Sequence, residues 1–155
     1  MHDNKTDRRF WEYNSIIKEN DELYRHAAKA SGLSECAFWI LYALRADGEI
    51  LTQSDICNSL YQPKQTVNSA LKKLENEGYI ALLHAGDQRG KPIHLTEKGL
   101  LLAARTVDRV IGFEYSALHG LSDEEQETFI RLFRQYTGLL KGKLLAADAF
   151  EAERE

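Results

Sequence analysis

Residues 62–95, QPKQTVNSALKKLENEGYIALLHAGDQRGKPIHL, decide the fold, because the spacing of apolar residues changes within them. Gln62-Pro63 predicts the start of a helix, since proline is preorganised for the first helical position. Apolar residues then recur at helical spacing, and Gly78 stands where a left-handed C-terminal cap belongs. The sequence therefore predicts a helix from Pro63 to about Glu77.

The segment after Gly78 has the pattern of a β-hairpin. Short apolar runs, two glycines and a proline surround a polar tip. This pattern predicts strands over residues 79–84 and 91–95, joined by a loop over residues 85–90.

Three helices are predicted before this segment. Residues 7–30 place apolar side chains on one face, and Gly32 ends that helix. A second helix, capped by Ser34 and running to about Ala46, is apolar all round and should be buried on most sides. Residues 52–55, TQSD, resemble a capping box for a short third helix.

Two long helices are predicted after the hairpin. The first covers residues 97–119, and the second opens at the capping box Ser122-Asp-Glu-Glu125. Both carry apolar stripes too extensive for one small core, as does the first helix of the chain, so we expect an obligate homodimer. The stripes are Leu100, Ala104, Val107 and Ile111 on the first, and Phe129, Leu132, Phe133, Tyr136, Leu140 and Leu144 on the second.

Composition fits one soluble chain. The protein has 155 residues, of which 43% are apolar and 28% charged, a balance typical of a globular domain. No uncharged run is longer than residues 36–44, and that length is far below the roughly 20 residues of a membrane-spanning helix. The first 14 residues have no apolar stretch after their charges, so no secretory signal is expected. We therefore predict a cytoplasmic protein without membrane contact.

Charge is distributed unevenly along the chain. The net charge is −4, but residues 61–99 carry six basic and four acidic side chains, which gives +2 there and −6 elsewhere. Phosphate attraction is local, since the Debye length is about 8 Å at physiological salt. A basic segment on an acidic body can therefore bind DNA, with less non-specific affinity than a uniformly basic protein has.

Helix, helix, turn, helix and hairpin in this order predict a winged helix-turn-helix. The helix over 63–77 has a polar face of amides, hydroxyls and cations, the groups that read base edges in the major groove. The hairpin tip would place Arg89 and Lys91 beside that helix, within reach of the DNA backbone or minor groove. The polar face consists of Lys64, Gln65, Asn68, Ser69 and Lys72.

The motifs along residues 51–102 resemble those of the MarR (multiple antibiotic resistance regulator) family of bacterial transcription factors. LENEGYI, residues 74–80, corresponds to the end of the family's recognition helix, and Asp87-Gln-Arg89 to its wing. LTEKG, residues 95–99, corresponds to the start of the next helix. Thr66-Val67 matches the recognition helix itself. The resemblance extends over nearly the whole chain.

The resemblance implies a mostly α-helical homodimer that binds double-stranded DNA at a pseudo-palindromic operator. Residues 34–97 would form the winged domain, while residues 7–30 and 98–145 would form the dimerisation region. Asp87 would brace the wing, and Gln88 stands where many members have arginine. The DNA contacts would fall to Lys64, Gln65, Thr66, Asn68, Ser69, Lys72, Arg89 and Lys91.

Other functions stay open at this point. We find no catalytic motif, so no enzyme and no cofactor are expected. His84 and His94 could face each other across the hairpin as metal ligands, and Cys36 or Cys57 could sense redox state. A winged helix can also bind protein instead of DNA. The resemblance further implies a small aromatic or anionic effector, for which Phe38, Trp39 and Tyr42 are candidates, although core packing explains these rings equally well.

Overall fold

The computed structural model describes residues 4–46, 51–60, 62–82 and 92–147. Contacts group the chain into two compact units, residues 1–112 and 113–155. The described residues form, in chain order, α1 (Asn4–Ala30), α2 (Glu35–Ala46), α3 (Gln53–Ser59), α4 (Lys64–Asn76), β1 (Ile80–Leu82), β2 (Ile93–Leu95), α5 (Glu97–Arg105), α6 (Val107–His119) and α7 (Asp123–Ala147). The prediction of a mostly α-helical chain with a small hairpin is confirmed.

Helix α2 supplies the centre of the first unit, as its apolar sequence predicts. Ile40 packs in one core cluster with residues of α3, α4 and both strands, while Phe38 and Leu41 pack in a second with α1, α5 and the start of α6. All three side chains are fully buried. Because α2 belongs to both clusters, it connects α3, α4 and the two strands to α1, α5 and the start of α6.

The predicted capping box of α3 and the predicted glycine ends of α1 and α4 are confirmed. The Thr52 hydroxyl accepts a hydrogen bond from the Asp55 backbone N–H, and the Asp55 carboxylate accepts one from the Thr52 N–H, which makes a capping box. The Thr52 hydroxyl also donates to the Asp55 carboxylate at 2.6 Å, and this bond, followed by the one from the Thr52 N–H, lowers the pKa of Asp55 below its ordinary value. Gly32 and Gly78 have φ values of 70° and 76°, the left-handed conformation that ends α1 and α4.

The prediction of a single helix over residues 97–119 is wrong, because Thr106 divides this segment into α5 and α6. Thr106 has φ −124° and ψ −93°, outside the helical region, and its buried hydroxyl donates to the Leu102 carbonyl at 2.6 Å. A hydroxyl bonded back by four residues often bends a helix. The break turns Val107 into the core with Leu102 and Ala103, so Val107 does not belong to an exposed stripe.

Among the described residues the sheet has two strands, and an isolated bridge beside it involves a segment that the sequence did not indicate. β1 and β2 pair antiparallel with Ile80 opposite Leu95 and Leu82 opposite Ile93. Pro92, predicted inside the second strand, instead bridges Thr52, and the Ile93 N–H donates to the Leu51 carbonyl at 2.8 Å. The remainder of the predicted strands, residues 83–84 and 91, lies outside the described residues.

The second unit contains the end of α6 and the whole of α7. The Ser122 hydroxyl accepts from the Glu125 N–H, and the Glu125 carboxylate accepts from the Ser122 N–H, so the predicted capping box is confirmed. Phe129 and Phe133 stack with ring centroids 5.9 Å apart, yet about half of each side chain is exposed. Within the described ranges, no helix has an apolar stretch long enough to cross a bilayer.

Candidate nucleic-acid interface

Helix α4 has one buried and one exposed face. Val67, Leu71 and Leu74 are at most 2% exposed and join the core cluster around Ile40. The helix carries three lysines against one glutamate, a net charge of +2 on an acidic chain. The opposite face presents every side chain that the sequence predicts for DNA contact on this helix, all of them exposed: Lys64, Gln65, Thr66, Asn68, Ser69 and Lys72.

Pro63 lies one residue outside the helix that it was predicted to begin. It has φ −55° and ψ 131°, and its carbonyl accepts hydrogen bonds from the N–H groups of Thr66 and Val67. Proline cannot donate from its backbone nitrogen, so at the N-cap it removes no helical hydrogen bond. The polar face of α4 therefore begins at Lys64.

Asn68 is tied to the preceding helix by two contacts that the sequence did not reveal. Gln53, the first residue of α3, donates its side-chain amide to Asn68 Oδ1 at 2.7 Å. The Cys57 thiol lies 3.7 Å from the same oxygen. Gln53 and Cys57 are 15 and 11 positions away from Asn68 in the chain, so only the packing of α3 on α4 brings these residues together.

Two further hydrogen bonds fix groups on or behind the polar face. The Ser69 hydroxyl donates to the Gln65 carbonyl at 2.8 Å, which leaves its oxygen lone pairs to accept. On the buried side, the Cys36 thiol lies 3.9 Å from the Thr66 carbonyl. Burial, with smaller contributions from Cys57 and Glu35, raises the pKa of the Cys36 thiol, so the reactive thiolate is disfavoured.

The base of the wing is held against the end of α4. Thr96 caps α5 by accepting from the Gly99 N–H, and its hydroxyl donates to the Gly78 carbonyl at 2.6 Å. Lys98 donates to the Glu77 carbonyl at 2.6 Å, and its ammonium lies 4.5 Å from the centre of the Tyr79 ring. Asp87, Arg89 and Lys91, the predicted wing residues, lie outside the described residues.

The position of Gly99, the last residue of the segment LTEKG, leaves no room for a side chain. A Cβ atom at Gly99 would overlap the carbonyl oxygen of Tyr79, and the Leu95 side chain lies 3.1 Å from the same position. Only a residue without a side chain lets α5 approach Tyr79, the residue before β1, this closely. The glycine therefore sets the spacing between the hairpin and the following helix.

The residues considered above as metal ligands or effector contacts do not lie on α4. Among the described residues, no group of three His, Cys, Asp or Glu side chains could hold a metal ion, and His84 lies outside them. Phe38 is buried, while Trp39 and Tyr42 are partly buried. Trp39 packs against Tyr24 of α1 at 5.0 Å and against Tyr42 at 5.2 Å, measured between ring centres.

The fold and the exposed polar face of α4 define a winged helix-turn-helix protein. Residues 31–90 match the family model of the MarR family. The HTH-type transcriptional regulator YwoH of Bacillus subtilis is 30% identical over 105 residues, which are 68% of this chain and 76% of YwoH. The chain belongs to the MarR family of transcriptional regulators.

Solved structures share the fold. A MarR family regulator from Neisseria meningitidis, NMB1585, is 23% identical with a TM-score of 0.69, covering 94% of this chain and 99% of NMB1585. The MepR–DNA complex of Staphylococcus aureus is 24% identical with a TM-score of 0.63, covering 84% of this chain and 96% of MepR. MarR family regulators are DNA-binding transcription factors without enzymatic activity, and this chain is therefore not an enzyme.

Proposed function

We propose that this chain is a cytoplasmic repressor that binds a pseudo-palindromic operator as a homodimer and is released by a small-molecule effector. One observation carries the DNA-binding part: α4 buries its apolar face in its own chain and exposes six polar side chains on the other. Such a helix has the groups that major-groove recognition requires, with the cations needed for phosphate.

The polar face supplies the contacts in this proposal. Gln65, Asn68 and Ser69 would read base edges, while Lys64 and Lys72 would pair with phosphate or guanine. Arg89 and Lys91 would add cations at the wing, with Asp87 bracing it. MepR, a relative of the same fold, is seen bound to DNA, which supports this assignment. The winged domain would comprise residues 34–97.

The homodimer is supported by the apolar surface of the terminal helices. Trp11 is 68% exposed, Phe133 is 48% and Leu140 is 40%, although large apolar side chains usually lie inside. Exposed patches of this kind mark interaction surfaces. Residues 7–30 and 98–145 would form the dimerisation region, and a second copy of the chain would cover it.

A small aromatic or anionic effector would bind next to the rings of Tyr24, Trp39 and Tyr42. Trp39 and Tyr42 are partly buried, so a planar ligand could stack on them without opening the core around Phe38. Binding there would bear on α2, which packs against both α1 and α4. Release of DNA would follow if the ligand favours a different spacing of the two winged domains.

Gel-shift titration at several salt concentrations tests the DNA-binding part. Replacing Lys72 by Ala removes one cation from each protomer, so the slope of log K against log salt should become shallower by about 1.8 for a dimer. Lys141→Ala, at an exposed lysine of α7, is the matched control and should leave the slope unchanged. Equal slopes for all three proteins would contradict the proposal and favour a winged helix that binds protein.

The wing is tested in the same titration. Arg89→Ala should lower affinity at every salt concentration and reduce the slope by up to about 1.8. Its thermal stability should move by no more than about 0.5 kcal/mol, as is usual at exposed positions. Unchanged affinity would restrict DNA contact to α4.

A further inference from the structure

Two donors of α3 lie beside the Asn68 carbonyl oxygen. An amide oxygen accepts two hydrogen bonds. On Asn68 one comes from the Gln53 amide at 2.7 Å, and the second position faces the Cys57 thiol at 3.7 Å. The thiol brings a proton and so favours the orientation in which Asn68 turns its oxygen towards α3.

This arrangement changes which base Asn68 can read. Recognition of adenine by asparagine is bidentate: the oxygen accepts from adenine N6 while the amide nitrogen donates to N7. With its oxygen held by α3, Asn68 offers only the two N–H donors of Nδ2. Guanine presents two neighbouring acceptors in the major groove, N7 and O6, whereas adenine presents one acceptor and one donor.

We propose that Gln53 is a positioning residue that determines base specificity, because it holds Asn68 as a donor-only reader that selects guanine over adenine. This inference rests on the proposed function, since it requires that Asn68 faces DNA. Gln53 itself is at the first position of α3 and is partly buried, so it acts through the Asn68 side chain and not through the core.

Selection of bound sequences from a random duplex pool tests the proposal on the full-length protein. The position that loses its base preference in Asn68→Ala identifies the base read by Asn68, and the wild-type protein should prefer guanine there. Gln53→Met keeps the length of the side chain without the donor and frees the Asn68 oxygen. The ratio of adenine to guanine at that position should then rise about tenfold, which is within the discrimination of one bidentate contact.

The variant Gln53→Glu provides a second, independent test of the role of Gln53. A carboxylate only accepts, so Asn68 should turn its nitrogen towards α3 and its oxygen towards the groove. The preference should move to bases with an amino donor, adenine or cytosine. The double variant Gln53→Met with Asn68→Ala should show no preference at this position, which separates an effect through Asn68 from a general change in α3.

Three outcomes overturn the proposal. The proposal is wrong if the wild-type protein and both Gln53 variants select the same base, if the wild-type protein already selects adenine, or if Asn68→Ala changes no position. In each of these cases the wild-type protein still enriches a specific sequence, so DNA recognition stands and only the role of Gln53 is wrong. A wild-type protein that enriches no sequence contradicts the proposed function itself and this inference with it.

Discussion

Helices α4 and α7 are both amphipathic, but only the apolar face of α4 is buried within the chain. On α4 the apolar residues Val67, Leu71 and Leu74 are at most 2% exposed within their own chain. On α7 Phe133 and Leu140 remain 48% and 40% exposed. The chain therefore buries the apolar face of α4 by itself, whereas the apolar face of α7 remains exposed in the single chain, as the proposed homodimer requires.

Phe133→Asp should have the largest effect, because it places a charge in the centre of the apolar surface of α7. A charge there has no partner when two copies pack, so the dimer should be lost and the chain should aggregate or unfold. Light scattering should give about twice the monomer mass of 17.7 kDa for the wild-type protein. Arg131→Asp changes an exposed residue two positions before Phe133, on the opposite side of the same helix, and should keep the dimer. A wild-type mass of one monomer would refute the assignment of α7 to dimerisation.

Leu71→Ala tests the other side of the comparison. Truncating this buried leucine should cost about 3 kcal/mol of unfolding free energy through lost burial and the cavity that remains. The mass in solution should stay that of the wild-type protein, since the cavity lies inside the first unit. Ser69→Ala, on the exposed face of α4, should change stability by less than about 0.5 kcal/mol. Urea unfolding measures both, and similar losses would mean that α4 is not held by its apolar face.

Gly99→Ala should cost about 2 kcal/mol, because the added methyl group meets the Tyr79 backbone and α5 must shift. Gly112 of α6 has no heavy atom within 4 Å of a Cβ placed there, so Gly112→Ala is the matched control. That substitution should stabilise by up to about 1 kcal/mol through helix propensity. Thermal unfolding of both variants measures the difference in stability, which should disappear if the contact between Tyr79 and α5 is not held in solution.

Asp55→Ala should have the smallest effect, and that effect should depend on pH. The pKa of Asp55 is lowered in the folded protein by hydrogen bonds from the Thr52 side chain and backbone. A lowered pKa adds stability above the unfolded value of about 3.9, and this stability is lost as pH falls through the lower folded value. The wild-type Tm should therefore exceed that of Asp55→Ala at pH 7, and the two should converge in acid. A constant difference down to pH 2 would exclude the carboxylate as its source.

Local signals in the sequence were enough for the capping boxes of α3 and α7, for the glycine after α4 and for the polar face of α4. Capping depends on side chains three residues apart, so Thr52 with Asp55 and Ser122 with Glu125 could be read directly. The left-handed glycine Gly78 has the same local origin. Apolar spacing of 3.6 residues likewise identified which side chains of α4 point outwards.

Contacts distant in sequence could not be read in this way. Thr106 is compatible with a helix by propensity, and only its burial with a hydroxyl bond to Leu102 explains the break. Leu51 joins β2 through a backbone hydrogen bond across 42 positions, for which side-chain patterns carry no signal. The sequence by itself thus determined the order of elements up to α5, the capping boxes of α3 and α7 and the polar face of α4, because these depend on neighbouring residues. The tertiary structure decided that Gln53 meets Asn68, since that contact exists only once α3 packs on α4.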